Sequence, residues 1–240
     1  MSGHSHFKTV KATKDANDAK KGKIFSKFAR LIALAAKQKG GDPSTNLTLK
    51  AAIEQARTFN MPKENIERAI KKGTGELQGE QLEEILIEGF GPGGIALILE
   101  GITDNKNRTI GEVRNILSKY EGKMASEGAV SWMFSRRGVI EVETPAEADR
   151  ESLELTAIES GAQDVQWNGQ MLEIYTEPEQ LETVKKALEE KNILAASANL
   201  SWIPKEEISP TDRERELTKK LSEAIDENDD IQDIYSNLKD

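Results

Sequence analysis

Residues 15–39 read D-A-N-D-A-K-K-G-K-I-F-S-K-F-A-R-L-I-A-L-A-A-K-Q-K, and this stretch decides how the first part of the chain folds. Its apolar residues recur at helical spacing, which predicts a helix over 15–39 with one buried face. They are Ile24, Phe28, Leu31, Ile32 and Ala35. At about 100° per residue most cations fall on the far side of the helix, with Lys21 as the exception. We call the far-side set the basic stripe, and it consists of Lys20, Lys23, Lys27, Arg30 and Lys37.

The charge of the chain is strongly polarised. Met1–Lys39 contains ten lysines and arginines against two aspartates, a net charge of +8, whereas the 240 residues together carry −9. A concentrated cationic surface most often meets a polyanion, and nucleic acid is the commonest one. The alternative is a lysine-rich helix face that serves only solubility. The contrast with the remaining residues, which carry −17, favours a functional surface.

The composition sets the class of protein. With 37% hydrophobic residues, the chain has enough apolar side chains to form cores in one to three domains. It contains no cysteine, which excludes disulfides, thiolate metal sites and a cysteine nucleophile. No apolar run reaches the roughly 18 residues of a membrane span, and the lysine-rich start lacks the apolar segment of a secretory signal. We therefore expect a soluble cytoplasmic protein that needs no cofactor.

Two further helices complete a basic helical domain in this prediction. One covers 46–58, and the next begins at Pro62 and ends at Gly73, because proline suits a first helical turn and glycine a helix end. Residues 1–72 carry a net charge of +10. Five more cations either extend the basic surface or serve solubility, namely Arg57, Lys63, Arg68, Lys71 and Lys72. The glycines between Gly73 and Gly79 predict a linker on which this domain swings.

The middle of the chain predicts strands over 83–88 and 95–102, the second apolar on both faces as a central strand is. Between them Gly89–Gly94 reads G-F-G-P-G-G. Glycine-rich loops can bind phosphate, but this one lacks a trailing Gly-Lys-Ser/Thr and a following helix. A hairpin turn is therefore the preferred interpretation. A helix to Tyr120 and a strand near 128–134 follow.

The motif T-D-N-K-N-R-T at 103–109 opens that helix. Asn105 or Asn107 suits the capping position at the helix N-terminus. Capping explains one asparagine, but it does not explain two asparagines together with Lys106 and Arg108. Helix N-termini bind anions readily, so the motif also fits a contact to a ligand or to RNA.

Residues 138–204 predict strands and helices in the order β-α-β-β-α-β, which is the ferredoxin-like order. RNA-recognition domains share this topology, but their stacking aromatics are missing here apart from Tyr175. The segment carries a net charge of −10, so it would repel phosphate and suits protein contacts better. After it, a helix over 211–227 and a strand over 231–235 supply elements that the segment before residue 138 lacks.

We therefore predict an α+β fold of the sandwich type with three domains. Residues 1–79 form the basic helical domain and its glycine-rich linker. Residues 80–137 plus 205–240 form a discontinuous α/β domain, and residues 138–204 form a ferredoxin-like domain inserted into it.

Six motifs closely resemble those of the YebC/PmpR family, which includes the mitochondrial translational activator of cytochrome c oxidase. They are M-S-G-H-S-H-F at 1–7, K-K-G-K-I-F-S-K at 20–27, G-G-D-P at 40–43, N-M-P-K-E-N-I-E-R-A-I-K-K-G at 60–73, G-F-G-P-G-G at 89–94 and T-D-N-K-N-R-T at 103–109. The resemblance covers nearly the whole chain. Phe7 stands where the family usually has tryptophan, and because an aromatic ring is kept we expect little change.

This resemblance implies a helical N-terminal domain followed by two α/β domains, the middle one discontinuous. Bacterial members are described as transcriptional regulators that bind DNA, and other members resemble ribosome-associated factors that help translation. The family has no settled catalytic residues. The positions that match its motifs, and that the resemblance marks as functional, are His4, Lys11, Lys20, Lys23, Lys27, Asn105, Asn107 and Arg108.

Catalysis and metal binding have little support in the residues. The two histidines, His4 and His6, lie in the segment before the first predicted helix, and no nucleophile motif or isolated acid/base pair is evident. If Met1 is removed, the amine, amides and imidazole of Ser2-Gly3-His4 could bind Cu(II) or Ni(II) in a square plane. We expect such binding to be adventitious.

The sequence thus predicts a non-enzymatic regulator of gene expression that binds DNA through its basic N-terminal domain. One alternative is a ribosome-associated translation factor that docks on ribosomal RNA or tRNA. Another is a module that binds proteins through its acidic domains. The candidate nucleic-acid-binding residues are His4, Lys8, Lys11, Lys14, Lys20, Lys21, Lys23, Lys27, Arg30, Asn105, Lys106, Asn107 and Arg108.

Overall fold

The structure, a computed structural model, describes residues 18–79 and 81–239, with side chains from Lys21 onward. Across these ranges the chain forms seven α-helices and two four-stranded sheets. The contacts divide them into two compact units. The first unit comprises the described residues up to Ala129 together with 210–234, and the second comprises 130–209 with 235–239.

The first unit begins with a three-helix lobe. Its helices are α1 (Asp18–Lys39), α2 (Leu47–Thr58) and α3 (Lys63–Thr74). Residues that the spacing of 15–39 selected, among them Phe28 and Ile32, pack with Leu49 of α2 in a common core. Residues at the α1–α2 turn are fixed by the buried Asn46, whose side-chain amide donates to the carbonyls of Ala35 at 2.9 Å and Gly40 at 2.8 Å.

Close packing of α3 on α1 depends on Gly73. A Cβ at this position would lie 2.2 Å from the backbone oxygen of Ala33 in α1, so no larger residue fits without a shift. The helix then ends at Gly75, which adopts a left-handed φ of 82°. The segment after Gly75 does not separate the lobe from the rest of the first unit, because Ala33 and Leu34 of α1 share an apolar cluster with Leu82 and Ile102. The lobe is docked on the rest of the first unit.

That remaining part of the first unit is built on a sheet with the strand order β3-β1-β2-β8. The strands are β1 (Glu83–Phe90), β2 (Ala96–Thr103), β3 (Lys123–Met124) and β8 (Ile231–Ser236). The helices are α4 (Lys106–Lys119) and α7 (Asp212–Asp226). Strand β2 is buried along most of its length, as its apolar sequence predicted.

The loop between β1 and β2 is a hairpin turn, so the preferred interpretation of Gly89–Gly94 is confirmed. Phe90 pairs with Ala96 across an antiparallel ladder. Gly93 and Gly94 have φ values of 67° and 78°, a region that residues with a Cβ rarely adopt. The glycines therefore serve the turn.

The predicted strand at 128–134 is wrong. Gly128 has a left-handed φ of 81°, and Ser131–Met133 form a 3-10 helix instead. The amide of Met133 donates to the carbonyl of Val130 at 2.9 Å, so this stretch pairs locally rather than with a neighbouring strand. The next strand begins only at Phe134.

The second unit contains β4 (Phe134–Glu143), α5 (Arg150–Glu159), β5 (Asp164–Asn168), β6 (Met171–Thr176), α6 (Leu181–Glu190) and β7 (Ser197–Pro204). Its sheet has the order β5-β6-β4-β7 with antiparallel neighbours. This element order and strand order are those of a ferredoxin-like fold. The helices cover a core that includes Ile140, Leu172, Ile174 and Leu188.

The α+β fold class is therefore confirmed. The division into three domains with boundaries at 79, 137 and 204 remains a prediction, since the contacts group the described residues into two units.

We predict that Gly73→Ala destabilises the protein, although alanine favours a helix by about 1 kcal/mol over glycine. The added methyl would meet the backbone of α1 at 2.2 Å, and overpacking of this kind costs on the order of 1–3 kcal/mol. Thermal unfolding followed by circular dichroism would measure the change. The matched control is Gly111→Ala in α4, where nothing lies within 4 Å of the added Cβ. An equal gain in stability for both variants would contradict the close packing of α1 and α3.

Candidate nucleic-acid interface

The predicted interface divides into a part that the structure describes and a part that it does not. His4, Lys8, Lys11 and Lys14, and the Ser2-Gly3-His4 metal hypothesis, lie outside the described residues. Lys20 lies in α1, but its side chain is not among those described. The remaining candidates are located below.

Two lysines of the basic stripe contact the C-terminal end of α7. The ammonium of Lys27 donates to Asp226 Oδ1 at 2.7 Å, and Lys23 forms an ion pair with Glu227. Lys27 is only 3% exposed. Carboxylates at the end of α7 therefore neutralise Lys23 and Lys27 within the protein.

Arg30 continues this contact one helical turn further along α1. Its guanidinium donates to the backbone oxygen of Ile102 at 3.0 Å and forms an ion pair with Asp230. The backbone of Asp230 also accepts a hydrogen bond from the amide of Ile102 at 2.7 Å. A Cβ on Gly101 would lie 2.5 Å from that Asp230 carbonyl, so glycine permits the close approach.

The Asp230 carboxylate is the centre of a buried network, with its side chain 5% exposed. Its Oδ2 accepts hydrogen bonds from the hydroxyls of Thr103 at 3.0 Å and Thr109 at 2.6 Å, and from the guanidinium of Arg108 at 2.8 Å. Burial by itself raises the pKa of Asp230. The hydrogen bonds from Thr109 and Arg108 and the charge of Arg30 outweigh burial, so the pKa lies below its usual 3.8.

The motif at 103–109 supplies most of this network. Asn105 caps α4 by accepting from the amide of Arg108 at 3.1 Å, as predicted. The guanidinium of Arg108 bridges Asp230 and Asp104, and these hydrogen bonds raise the pKa of Arg108 and lower that of Asp104. Lys106 pairs with Glu83 at 3.0 Å. At this helix N-terminus the structure thus places an anion from the protein itself, the carboxylate of Asp230.

The expectation that the basic stripe faces away from the fold is wrong for Lys27 and Arg30. The helical spacing was correct, but α1 packs on two sides, with Lys23, Lys27, Arg30, Leu34 and Lys37 along its second face. Sequence reasoning missed the partners, which are about 200 positions away. The acidic run at 226–230 was the available signal, because an uncompensated acidic segment in a protein with one basic helix can pair with it.

Other cations of the lobe remain on its surface. Lys37 is exposed, although its ammonium donates to the carbonyl of Leu82 at 2.9 Å. Asn107 is exposed and has no side-chain partner in the part of the chain that the structure describes. Further exposed cations of the lobe are Lys21, Lys39, Lys50, Arg57, Lys63, Arg68, Lys71 and Lys72.

Two searches of the described ranges gave negative results. No group of three or more histidine, cysteine or acidic side chains in 18–79 and 81–239 could hold a metal ion. In the same ranges, no helix is long and apolar enough to cross a membrane.

The fold and the interface define a class of α+β proteins in which a basic three-helix lobe is docked on a sheet whose chain also includes a ferredoxin-like unit. Two family models match the chain. The TACO1/YebC N-terminal domain matches residues 5–76, and the TACO1/YebC second and third domain match residues 82–238. The chain belongs to the TACO1/YebC family.

Curated relatives and a solved structure agree with this assignment. A probable transcriptional regulatory protein of Thermoanaerobacter pseudethanolicus is 46% identical over all of this chain and 97% of its own length. One of Thermotoga maritima is 45% identical over all of this chain and 94% of its own length. The crystal structure of a conserved hypothetical protein from Aquifex aeolicus is 43% identical and matches with a TM-score of 0.84, covering 95% of this chain and 96% of that one.

We predict that Asp230→Asn lowers the free energy of unfolding by roughly 3 kcal/mol, because removing one partner of a buried ion pair leaves the other charge uncompensated. Urea unfolding would measure this loss. The control is Glu227→Gln, which removes an ion pair whose carboxylate is 68% exposed. The control should change stability by no more than about 1 kcal/mol. Equal effects of the two variants would show that Asp230 does not organise the unit.

We also predict an acid-sensitive contribution from Asp230. Because its pKa is lower in the folded protein than its usual 3.8, its contribution to stability is fully present above about pH 4. It is lost as the pH falls through the folded-state pKa. Free energies of unfolding in urea, measured over a pH series in wild type and Asp230→Asn, should therefore converge below pH 3.8. A difference between the two proteins that stays constant down to low pH would contradict this role.

Proposed function

We propose that this protein is a non-enzymatic regulator of gene expression in the cytoplasm, and that it binds nucleic acid through its three-helix lobe. The charge contrast carries the proposal. Residues 18–79 contain thirteen lysines and arginines against six carboxylates, in a chain with a net charge of −9. The names of its relatives, probable transcriptional regulatory proteins, support a regulatory role. DNA is the target that we propose.

The cations of the lobe divide into two groups in this proposal. Lys27 and Arg30 already pair with carboxylates of the same unit, and exchanging those partners for phosphate would leave the buried Asp230 without the charge of Arg30. The primary phosphate contacts therefore come from among the exposed cations of the lobe. Lysine contacts of this kind position a protein on nucleic acid but do not read its bases.

Ribosomal RNA or tRNA is the alternative target, and a specific observation favours it. The second unit contains the segment 138–204 with its net charge of −10, which duplex DNA would repel but which could face ribosomal proteins. A purely protein-binding module is the remaining alternative. It predicts that the cations of the lobe contribute only to solubility.

We predict that nucleic-acid binding weakens steeply with salt, by about 0.9 log units per log unit of salt for each duplex phosphate neutralised. Reversing two exposed cations of the lobe, as in Lys39→Glu/Lys63→Glu, should lower affinity at least tenfold at low salt, because each reversal replaces attraction by repulsion. Fluorescence anisotropy with a labelled duplex and with ribosomes would measure both effects.

The matched control is Lys185→Glu/Lys186→Glu on α6 of the second unit, which changes the charge by the same amount. This control should lose less than threefold in affinity. If both variants lose affinity equally, or if wild-type binding is independent of salt, the lobe is not the docking surface.

Sedimentation with ribosomes in the presence of excess duplex DNA separates the two targets. Wild-type protein that stays with ribosomes despite the DNA acts on translation. Protein that the DNA removes, and that prefers one duplex sequence over another, acts on transcription. Failure to bind either polyanion leaves the protein-binding module.

A further inference from the structure

A groove runs along the seam between α1, α3 and the described residues of 75–79 and 81–82. It encloses about 820 Å³, within the range of about 300–1,000 Å³ that ligand pockets occupy. Apolar side chains form its floor, among them Phe25, Ala29 and Met61. Phe25 is half-buried, so one part of its ring belongs to the lobe core and the rest faces the groove. Gly73, where α3 packs closely on α1, also lines the groove.

The charged side chains that line the groove, among the described residues, are all positive. Among the described residues that line it, four are cations and none is a carboxylate, although acidic residues outnumber basic ones by 42 to 33 in the chain. The cations are Arg30, Lys37, Arg68 and Lys72. An arrangement of this kind fits an anion, because like positive charges along one groove favour a negatively charged occupant.

The four cations are not equally available. Arg30 is held by Asp230 and Ile102, and Lys37 donates to Leu82 and to Gln81 at 3.3 Å. Arg68 and Lys72 are exposed on α3, and neither forms an ion pair or a side-chain hydrogen bond with another residue that the structure describes. They sit four positions apart on one face of the helix, where they can contact successive anionic groups.

The neutral polar side chains of the groove narrow the class of anion. Asn65, Gln78 and Gln81 line it, and each amide offers both a donor and an acceptor. The edges of nucleic-acid bases carry donors as well as acceptors, so they need both kinds of partner from a protein. A simple carboxylate or phosphate needs donors alone, so the groove combines phosphate-binding cations, base-binding amides and an aromatic ring for stacking.

We propose that this groove binds a segment of single-stranded nucleic acid, with phosphates at Arg68 and Lys72 and an unstacked base against Phe25. The inference rests on the proposed function and specifies its site and its substrate class. A duplex keeps its bases stacked inside the helix, so only an unpaired base can enter the groove. The bound strand runs along α3, and the ion pairs of Lys23, Lys27 and Arg30 with the acidic segment stay intact.

Fluorescence anisotropy with a labelled RNA of roughly ten nucleotides, within the site sizes typical of single-strand binding, tests the proposal. Arg68→Gln/Lys72→Gln should lower the affinity of the full chain at least tenfold. Arg57→Gln/Lys71→Gln is the matched variant, since it removes one arginine and one lysine from exposed positions of the same lobe outside the groove. This matched variant should lose less than threefold in RNA affinity, because it weakens only the general electrostatic attraction of the lobe for RNA. Circular dichroism would verify that both variants fold.

A second variant tests the base pocket without changing the charge. Phe25→Leu keeps an apolar side chain in the lobe core but removes the ring, and it should lower RNA affinity severalfold. Unchanged affinity of Phe25→Leu would overturn the base pocket. Competition by polyglutamate as strong as that by unlabelled RNA would show that the groove takes any polyanion, and would overturn the nucleic-acid assignment.

The outcomes distinguish failure of the groove from failure of the proposed function. If wild type binds RNA and the two double variants lose affinity equally, or neither loses it, the groove is overturned while nucleic-acid binding stands. If wild type binds neither RNA nor DNA, both proposals are overturned. Tenfold selective loss in Arg68→Gln/Lys72→Gln together with weakened binding of Phe25→Leu supports the groove.

Discussion

The buried carboxylate of Asp230 is the interaction on which the first unit depends. It accepts from Thr103 at the end of β2 and from Thr109 and Arg108 at the start of α4, and it pairs with Arg30 of α1. One side chain therefore joins the lobe, the sheet and the segment before β8. A buried carboxylate is costly to desolvate unless it is fully paired, so each partner must stay in place for the others to be stable. This mutual dependence holds Arg30 of the basic stripe against the sheet.

The parts of the structure that the sequence could predict are those that follow from local patterns. The apolar spacing of Ile24, Phe28 and Ile32 is a local pattern with a helical period, and it predicted both the helix and its core face. Gly93 and Gly94 likewise predicted the hairpin turn, because glycine readily adopts the positive φ values that such a turn needs. The ferredoxin-like unit followed from the order of its elements, because short connections leave few topologies.

The partners of the cations could not be predicted in the same way. Lys27 and Asp226 are 199 positions apart, and neither residue carries a periodic signal that names the other. A helical wheel distinguishes apolar from charged faces, but it cannot distinguish a charged face in solvent from one that meets opposite charge. The motif at 103–109 posed the same problem. Its asparagine, threonines and arginine suit an external anion at a helix N-terminus, and the structure supplies an internal one.

The two sides of α1 thus differ in whether their cations are paired with carboxylates. On the side of α7 the cations of α1 are compensated by Asp226, Glu227 and Asp230, so any phosphate would have to compete with carboxylates that are already bound. At the seam with α3 no described carboxylate lines the groove, and among the described residues Arg68 and Lys72 form no ion pair. Polyanion binding is therefore least costly on the α3 side, where it needs no rearrangement of the Asp230 network. Internal pairing thus leaves Lys23, Lys27 and Arg30 compensated, and the unpaired cations of the lobe are those that the acidic segment does not reach.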